Sequence, residues 1–426
     1  MISLMRNMLE MSNVMRASHN EWGGSSTRAF LAIGALLVLT SNAVAASTAP
    51  TGNLRVTRTG APQPVFLWQS MHCEEWDVPD TGARAWRDAQ GRVHLVASGT
   101  DNRAMVGPDL DHVKQDCRVI FKGGEQDAPQ AYDDRSWLTS PYTLNGTDVF
   151  ALIHNEFHGQ LRPALCPSRD YAKCWANTVT LAVSHDGGLS FAHATPPAQF
   201  VAGLPYRYRG DIGHRVGYFN PSNIILRDGY YYAYFWADAE GAQQRGDCLM
   251  RTANLADPRS WRAWDGKDYT IRFADPYVDD VSNVAAHVCA PVGADGLVSF
   301  VSSVTLHRPS GLYVALMATN HAPIPGKDPV SGVFASTSSD LIHWTPAALV
   351  WQEAVLFKYA CSADHDAVFY PSLLDPASST RNFEDAGDHA ELYFTDLHIA
   401  PDCHLGPNRD LLRVPVEINT TGPASP

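Results

Sequence analysis

The sequence predicts an all-β chain, a five-bladed β-propeller of four-stranded antiparallel blades. Three observations lead there. One strand pattern recurs five times between residues 83 and 416. Asn145-Gly146 and Asp228-Gly229 fall between apolar runs, the signature of a tight hairpin. Almost no stretch shows sustained helical periodicity. Blades repeated around an axis explain how so many strands avoid long exposed edges. A pair of β-sandwiches is the competing architecture.

Residues 1–45 read as a secretory signal. Arg28 precedes an apolar run from Ala29 to Leu39, and Ala43-Val44-Ala45 supplies small residues before Ala46. The run is short for a membrane span, although an uncleaved anchor is the alternative reading. Residues 46–64, rich in Thr, Pro and Gly, read as a linker or an entry strand. Residues 65–418 form the single propeller, and 419–426 a disordered tail.

The repeat is two strands around a turn, a loop, then a third strand ending in a polar turn. Its first copy runs Ala83–Asp88, Val93–Ser98 and Arg103–Val106. The second runs Trp137–Thr143, Val149–His154 and Thr178–Val183. The third runs Tyr218–Leu226, Tyr230–Trp236 and Cys248–Ala253. The fourth runs Leu297–Leu306, Leu312–Ala318 and Gly332–Ser336. The fifth runs Val368–Leu374, Glu391–Asp396 and Asp410–Val416.

Composition excludes some functions. The chain has 426 residues, 45% hydrophobic and 18% charged, with net charge −13. No basic cluster exists to bind phosphates, which argues against nucleic acid. Eight cysteines in an exported chain imply disulfides. No CxxC pair occurs, which argues against a thiolate metal site. Pairing between sequence neighbours is expected, with Cys166–Cys174 closing a short loop. The compartment is then extracellular or periplasmic.

Ser184-His-Asp-Gly-Gly-Leu-Ser-Phe191 resembles the Asp-box of sialidases and related propellers. That resemblance implies fold and not chemistry. Ser339-Asp-Leu-Ile-His-Trp344 and Asp228-Gly-Tyr-Tyr-Tyr232 resemble the five-bladed glycoside hydrolases acting on arabinans, xylans and fructans. Those enzymes begin the first blade with an Asp-Pro pair, whereas this chain reads Val78-Pro79-Asp80-Thr81. The resemblance implies a carbohydrate-active propeller with an oligo- or polysaccharide substrate.

In such a blade the first strand starts, and the second ends, at the same rim of the channel. Site residues are therefore expected just before first strands and just after second strands. Glycoside hydrolysis needs two carboxyl groups across the scissile bond, one donating a proton and one activating water or attacking carbon. Glu156 is the expected acid, its pKa raised by burial, and Asp80 the expected base or nucleophile. Asp134 is expected to tune that acid. Asp133, His154, Asn155, His158, Asn220, Tyr218, His365 and Asp366 are expected to bind sugar. Arg84 and Arg103 are expected to bind a carboxylate or a hydroxyl pair.

His154-x-Glu156-x-His158 invites a metal reading, because alternate strand residues share a face. It is not the helical His-Glu-x-x-His zinc pattern, and no metal ligand is assigned. No cofactor is required, and a structural Ca²⁺ or Na⁺ in the central channel is the one ion considered. A non-catalytic sugar-binding propeller and a polysaccharide lyase acting on uronic acids are the alternative functions.

Overall fold

Apolar and alternating runs form strands almost where the repeat places them. The computed structural model describes residues 53–421, except 98, 197, 323–328, 357–365 and 401–404. Residues 1–45, read above as a signal, and His365, Cys361 and Cys403 lie outside the described residues. Among the described residues the α-helices are single turns, Trp68–Met71 and Tyr171–Cys174. None is long and apolar enough to cross a membrane.

The strands form four sheets, one of them of ten strands, and within these sheets five runs of mainly antiparallel strands follow one another along the chain. The first holds Arg84–Arg87, Val93–Val96, Met105–Gly107 and Lys114–Gln115. The second is built on Arg135–Thr143, Val149–His158 and Trp175–Ser184. The third holds Val216–Phe219, Tyr230–Asp238, Gly246–Thr252 and Arg262–Ala263. A short parallel pairing of Val216 and Gly217 with Ala176 and Asn177 joins it to the second. The fourth holds Ser303–His307, Leu312–Ala322, Val330–Ser338 and Ala348–Gln352. The fifth holds Ala367–Leu374, His389–Ile399 and Leu405–Thr421, with Asn53–Arg58 as its outer strand.

Three details differ from expectation. The strand expected over Tyr218–Leu226 is split, because Pro221 has no N–H to donate and Asn220 sits at φ 47°. The first strand of the fourth copy, expected over Leu297–Leu306, begins only at Ser303, whereas the entry-strand alternative for residues 46–64 agrees with Asn53 lying opposite Thr421. That last strand also runs past the expected boundary at 418.

Disulfides join Cys73 to Cys117, Cys166 to Cys174 and Cys248 to Cys289, each to its sequence neighbour.

Burial follows the same order. One apolar cluster lies between the first and second groups, around Trp86, Phe121 and Ile153. Others lie between second and third, third and fourth, fourth and fifth, and fifth and first. Each group therefore packs against two neighbours.

Hydrogen bonds between inner strands run through the same cycle. Arg84 Nε donates to Thr139 O, and Ser140 Oγ to Ser222 O. Asn223 Nδ2 donates to Val304 O at 2.7 Å, and its Oδ1 accepts from Val304 N at 2.8 Å. Thr305 Oγ1 donates to Leu373 O, and Arg84 Nη1 to Ser372 Oγ.

Asn223 satisfies both backbone groups of Val304, so Asn223→Ala leaves two partly buried polar groups unpaired. The substitution is expected to lower unfolding free energy by about 2 kcal/mol. Urea denaturation measures it, and a loss under about 0.5 kcal/mol would show that the bond is not structural.

Candidate active site

The strand Val149–His158 turns from apolar to polar along its length, and Val149, Ala151 and Ile153 are fully buried. Past Ile153, the alternate residues His154, Glu156 and His158 share one face. His154 Nε2 lies 3.0 Å from Glu156 Oε1, and His158 Nε2 lies 2.7 Å from Oε2. Asn220 donates its backbone N–H to His154 Nδ1 at 2.8 Å. That bond fixes the tautomer: Nδ1 accepts, so Nε2 carries the proton and donates to Glu156.

Burial alone would raise the Glu156 pKa. Hydrogen bonds from His154 and His158, with the electrostatic attraction of the two rings, outweigh burial and hold the carboxyl down at about 2. The expected polarity is therefore reversed, because the two imidazoles favour the ionised form.

Asp80 stands across from it, just ahead of the first group. Trp137 Nε1 donates to its Oδ2 at 3.2 Å. Arg409 pairs with its Oδ1, and the Tyr370 hydroxyl lies 3.5 Å from that oxygen. Its side chain is 25% exposed, so water reaches it. Burial raises its pKa, Arg409 offsets part of the rise, and the negative charge of Glu156 adds to it. The two carboxyl groups thus have opposite pKa displacements.

Tyrosines and further rings surround the pair. Burial and the charge of Glu156 push the Tyr171 hydroxyl far up, and burial and Asp80 do the same to Tyr370. Tyr171 stacks on Trp175, with ring centres 4.7 Å apart. Arg215 lies over Trp175 and Phe219 and pairs with Asp238.

The other expected residues fall elsewhere or act indirectly. Asp134 does not bond to Glu156. It accepts from the His158 backbone N–H at 2.9 Å and from Arg162 at 2.8 Å, so it anchors the strand end. Asp133 turns to His193 and the Gly124 N–H. Asn155 points to the opposite face, where it bonds to Ser136 and lines a cleft with Phe157, Phe200, Tyr206 and Tyr208. Tyr218 is fully buried and donates to Gln243, so it is a core residue and not a sugar platform. Asn220 acts through its backbone.

Arg103 is tied to Glu74 and the Cys117 carbonyl. Arg84 points between the groups, where its donors meet Thr139, Ala83, Ser372 and Ser302. Asp366 pairs with His398, beside Asp396 and Asp410. Burial, followed by neighbouring carboxylates, raises Asp396 to about 6. These groups have the donor set for a divalent cation, but spacing alone makes no site.

Four residues around the pair were missed from sequence: Tyr171, Arg215, Tyr370 and Arg409. Tyr370 carried one signal, its place before Pro371 in an apolar strand. It sits at φ 53° within a register shift between Phe369 and Ser372, and this bulge aims its hydroxyl at Asp80. Arg409 reaches Asp80 across 329 residues of sequence, a pairing no local pattern shows.

A scan against protein-family models finds no match, and a search of curated proteins finds none. Solved structures do resemble the chain. A thermostable family-43 glycoside hydrolase is 12% identical, with TM-score 0.44, over 85% of this chain and 98% of that one. A glycosyl hydrolase from Bacteroides ovatus is 9% identical, with TM-score 0.44, over 85% and 93%. An N-acetylgalactosamine deacetylase from F. plautii, in complex with blood group B trisaccharide, is 10% identical, with TM-score 0.42, over 86% and 95%. At that identity and TM-score the likeness carries no weight for activity.

The depressed pKa of Glu156 links its ionisation to stability. Its contribution is present above the unfolded value of about 4.5 and is lost as pH falls through about 2. The stability gap between the native chain and Glu156→Gln is expected to shrink over that window. Urea midpoints measured across it test this, and a constant gap would mean that Glu156 titrates normally.

Proposed function

We propose that this chain is a secreted or periplasmic carbohydrate-active enzyme of glycoside-hydrolase type, built as a five-bladed propeller of antiparallel blades. The closed cycle of five packed strand groups supports the propeller. Three disulfides support an oxidising compartment.

One observation carries the activity. Asp80 and Glu156, from different parts of the chain, lie near enough for the charge of Glu156 to raise the Asp80 pKa, and their environments push their pKa values apart. Such a pair defines an acid and a base. Asp80 is the acid and donates its proton to the leaving oxygen. Glu156 stays ionised and either activates water or attacks the anomeric carbon. His154 and His158 hold Glu156 in place, leaving further lone pairs of its carboxylate for that task. Trp137, Tyr370 and Arg409 position Asp80.

The lyase alternative fits less well. It needs a Tyr or His base, yet Tyr171 and Tyr370 hold their protons far more tightly than free tyrosine. His154 Nδ1 is already engaged by Asn220.

The roles are tested with aryl glycosides and short oligosaccharides. Glu156→Gln is expected to cut turnover roughly 10²–10⁴-fold while sparing ligand binding. Asp80→Asn is expected to lose turnover on poor leaving groups and keep it on a dinitrophenyl glycoside. Equal loss on both substrates would remove Asp80 as the acid. Full turnover in Glu156→Gln would remove Glu156 from the catalytic pair, and ligand binding without turnover in the native chain would leave a sugar-binding propeller as the better reading.

The pH profile follows from the same displacements. Rate is expected to fall as pH rises through the Asp80 pKa, with no acidic limb until about pH 2. An acidic limb between about pH 4 and 6 would contradict the assignment of Glu156 as the permanent anion.

A further inference from the structure

A cation buried without a counter-charge is costly, and folds resolve it by pairing. Arg84 is such a cation. It is 5% exposed and bonds to residues of three other strand groups. Its Nε donates to Thr139 O at 3.1 Å, its Nη1 to Ala83 O and Ser372 Oγ at 2.9 Å, and its Nη2 to Ser302 O at 2.5 Å. All four acceptors are neutral. Among the described residues no carboxylate pairs with it. A guanidinium has five N–H groups, so one N–H of Nη2 remains beyond these bonds. Burial pulls its pKa down to about 9.

Arg84 also lines a small cavity with Ser303, Ser372, Asn223, Pro141 and Leu373. Ser303 is 3% exposed, and its Oγ has no hydrogen-bond partner. A buried cation and an unsatisfied hydroxyl therefore share one cavity of about 10 Å³. That is room for one guest near the size of a water molecule.

We propose that this cavity binds a single chloride ion. A monatomic anion offsets the buried charge and accepts from Nη2–H and from the Ser303 hydroxyl. A water molecule would serve the donors and leave the charge uncompensated. The Ca²⁺ or Na⁺ considered for the channel would stand beside a buried guanidinium, where the repulsion is strong.

The test uses the full chain in sodium chloride and in sodium methanesulfonate at equal ionic strength. Chloride is expected to raise Tm by about 4 °C, with saturation. In Arg84→Met the two salts are expected to give the same Tm. If that variant does not fold, Ser303→Ala is expected to shift the chloride midpoint several-fold higher. Crystals grown in bromide are expected to show an anomalous peak in contact with Arg84. Equal Tm values for the native chain, a chloride effect that survives Arg84→Met, or no anomalous peak in the cavity would each overturn the proposal.

Discussion

The Arg84 guanidinium is buried where the strand groups meet, and it is bonded to three groups besides its own. It joins the first group to Thr139 of the second, Ser302 at the edge of the fourth and Ser372 of the fifth. Ser140 and Asn223 complete the links through the third. Antiparallel sheets alone would not fix their neighbours at one register. These buried bonds do, because sliding one group past another would strand several polar atoms in an apolar interior. Hydrophobic clusters fill the spaces between groups, but the polar cycle sets where each strand begins.

That register places the chemistry. Asp80 leads into the first inner strand, and Glu156 ends the second strand of its group, so the two lie near one another. Their opposite behaviour comes from their nearest partners. Glu156 receives two imidazole donors and stays ionised. Asp80 shares a largely buried corner with that negative charge, and a single arginine does not fully compensate it. Under the proposed function, the two carboxyl groups divide the acid and base work.

Much of this was legible in the sequence, and the limits have physical causes. Hairpin pairs such as Asn145-Gly146 and Asp228-Gly229, with apolar runs on either side, placed most strands within a few residues. The rule that sites sit before first strands and after second strands singled out Asp80 and Glu156, which the structure places near one another. It made Glu156 the acid and Asp80 the base, the reverse of the roles proposed above, because the roles depend on how the imidazoles bond to Glu156, and a backbone N–H at Asn220 orients His154. Tyr218 was misplaced, because a tyrosine at a strand start reads the same whether its ring faces the rim or the core. Arg84 was misplaced for a related reason: polar residues on an inner strand can face the neighbouring groups. Tyr370 was missed because a bulge turns it.

The division of charge between the two carboxyl groups is the central claim. A neutron structure of the native chain at mildly acidic pH tests it most directly, because it locates the protons themselves. The expected result is a deuteron on the Asp80 carboxyl, deuterons on Nε2 of His154 and His158, and none on Glu156. A deuteron on Glu156, with Asp80 bare beside Arg409, would contradict it and restore the opposite assignment of acid and base.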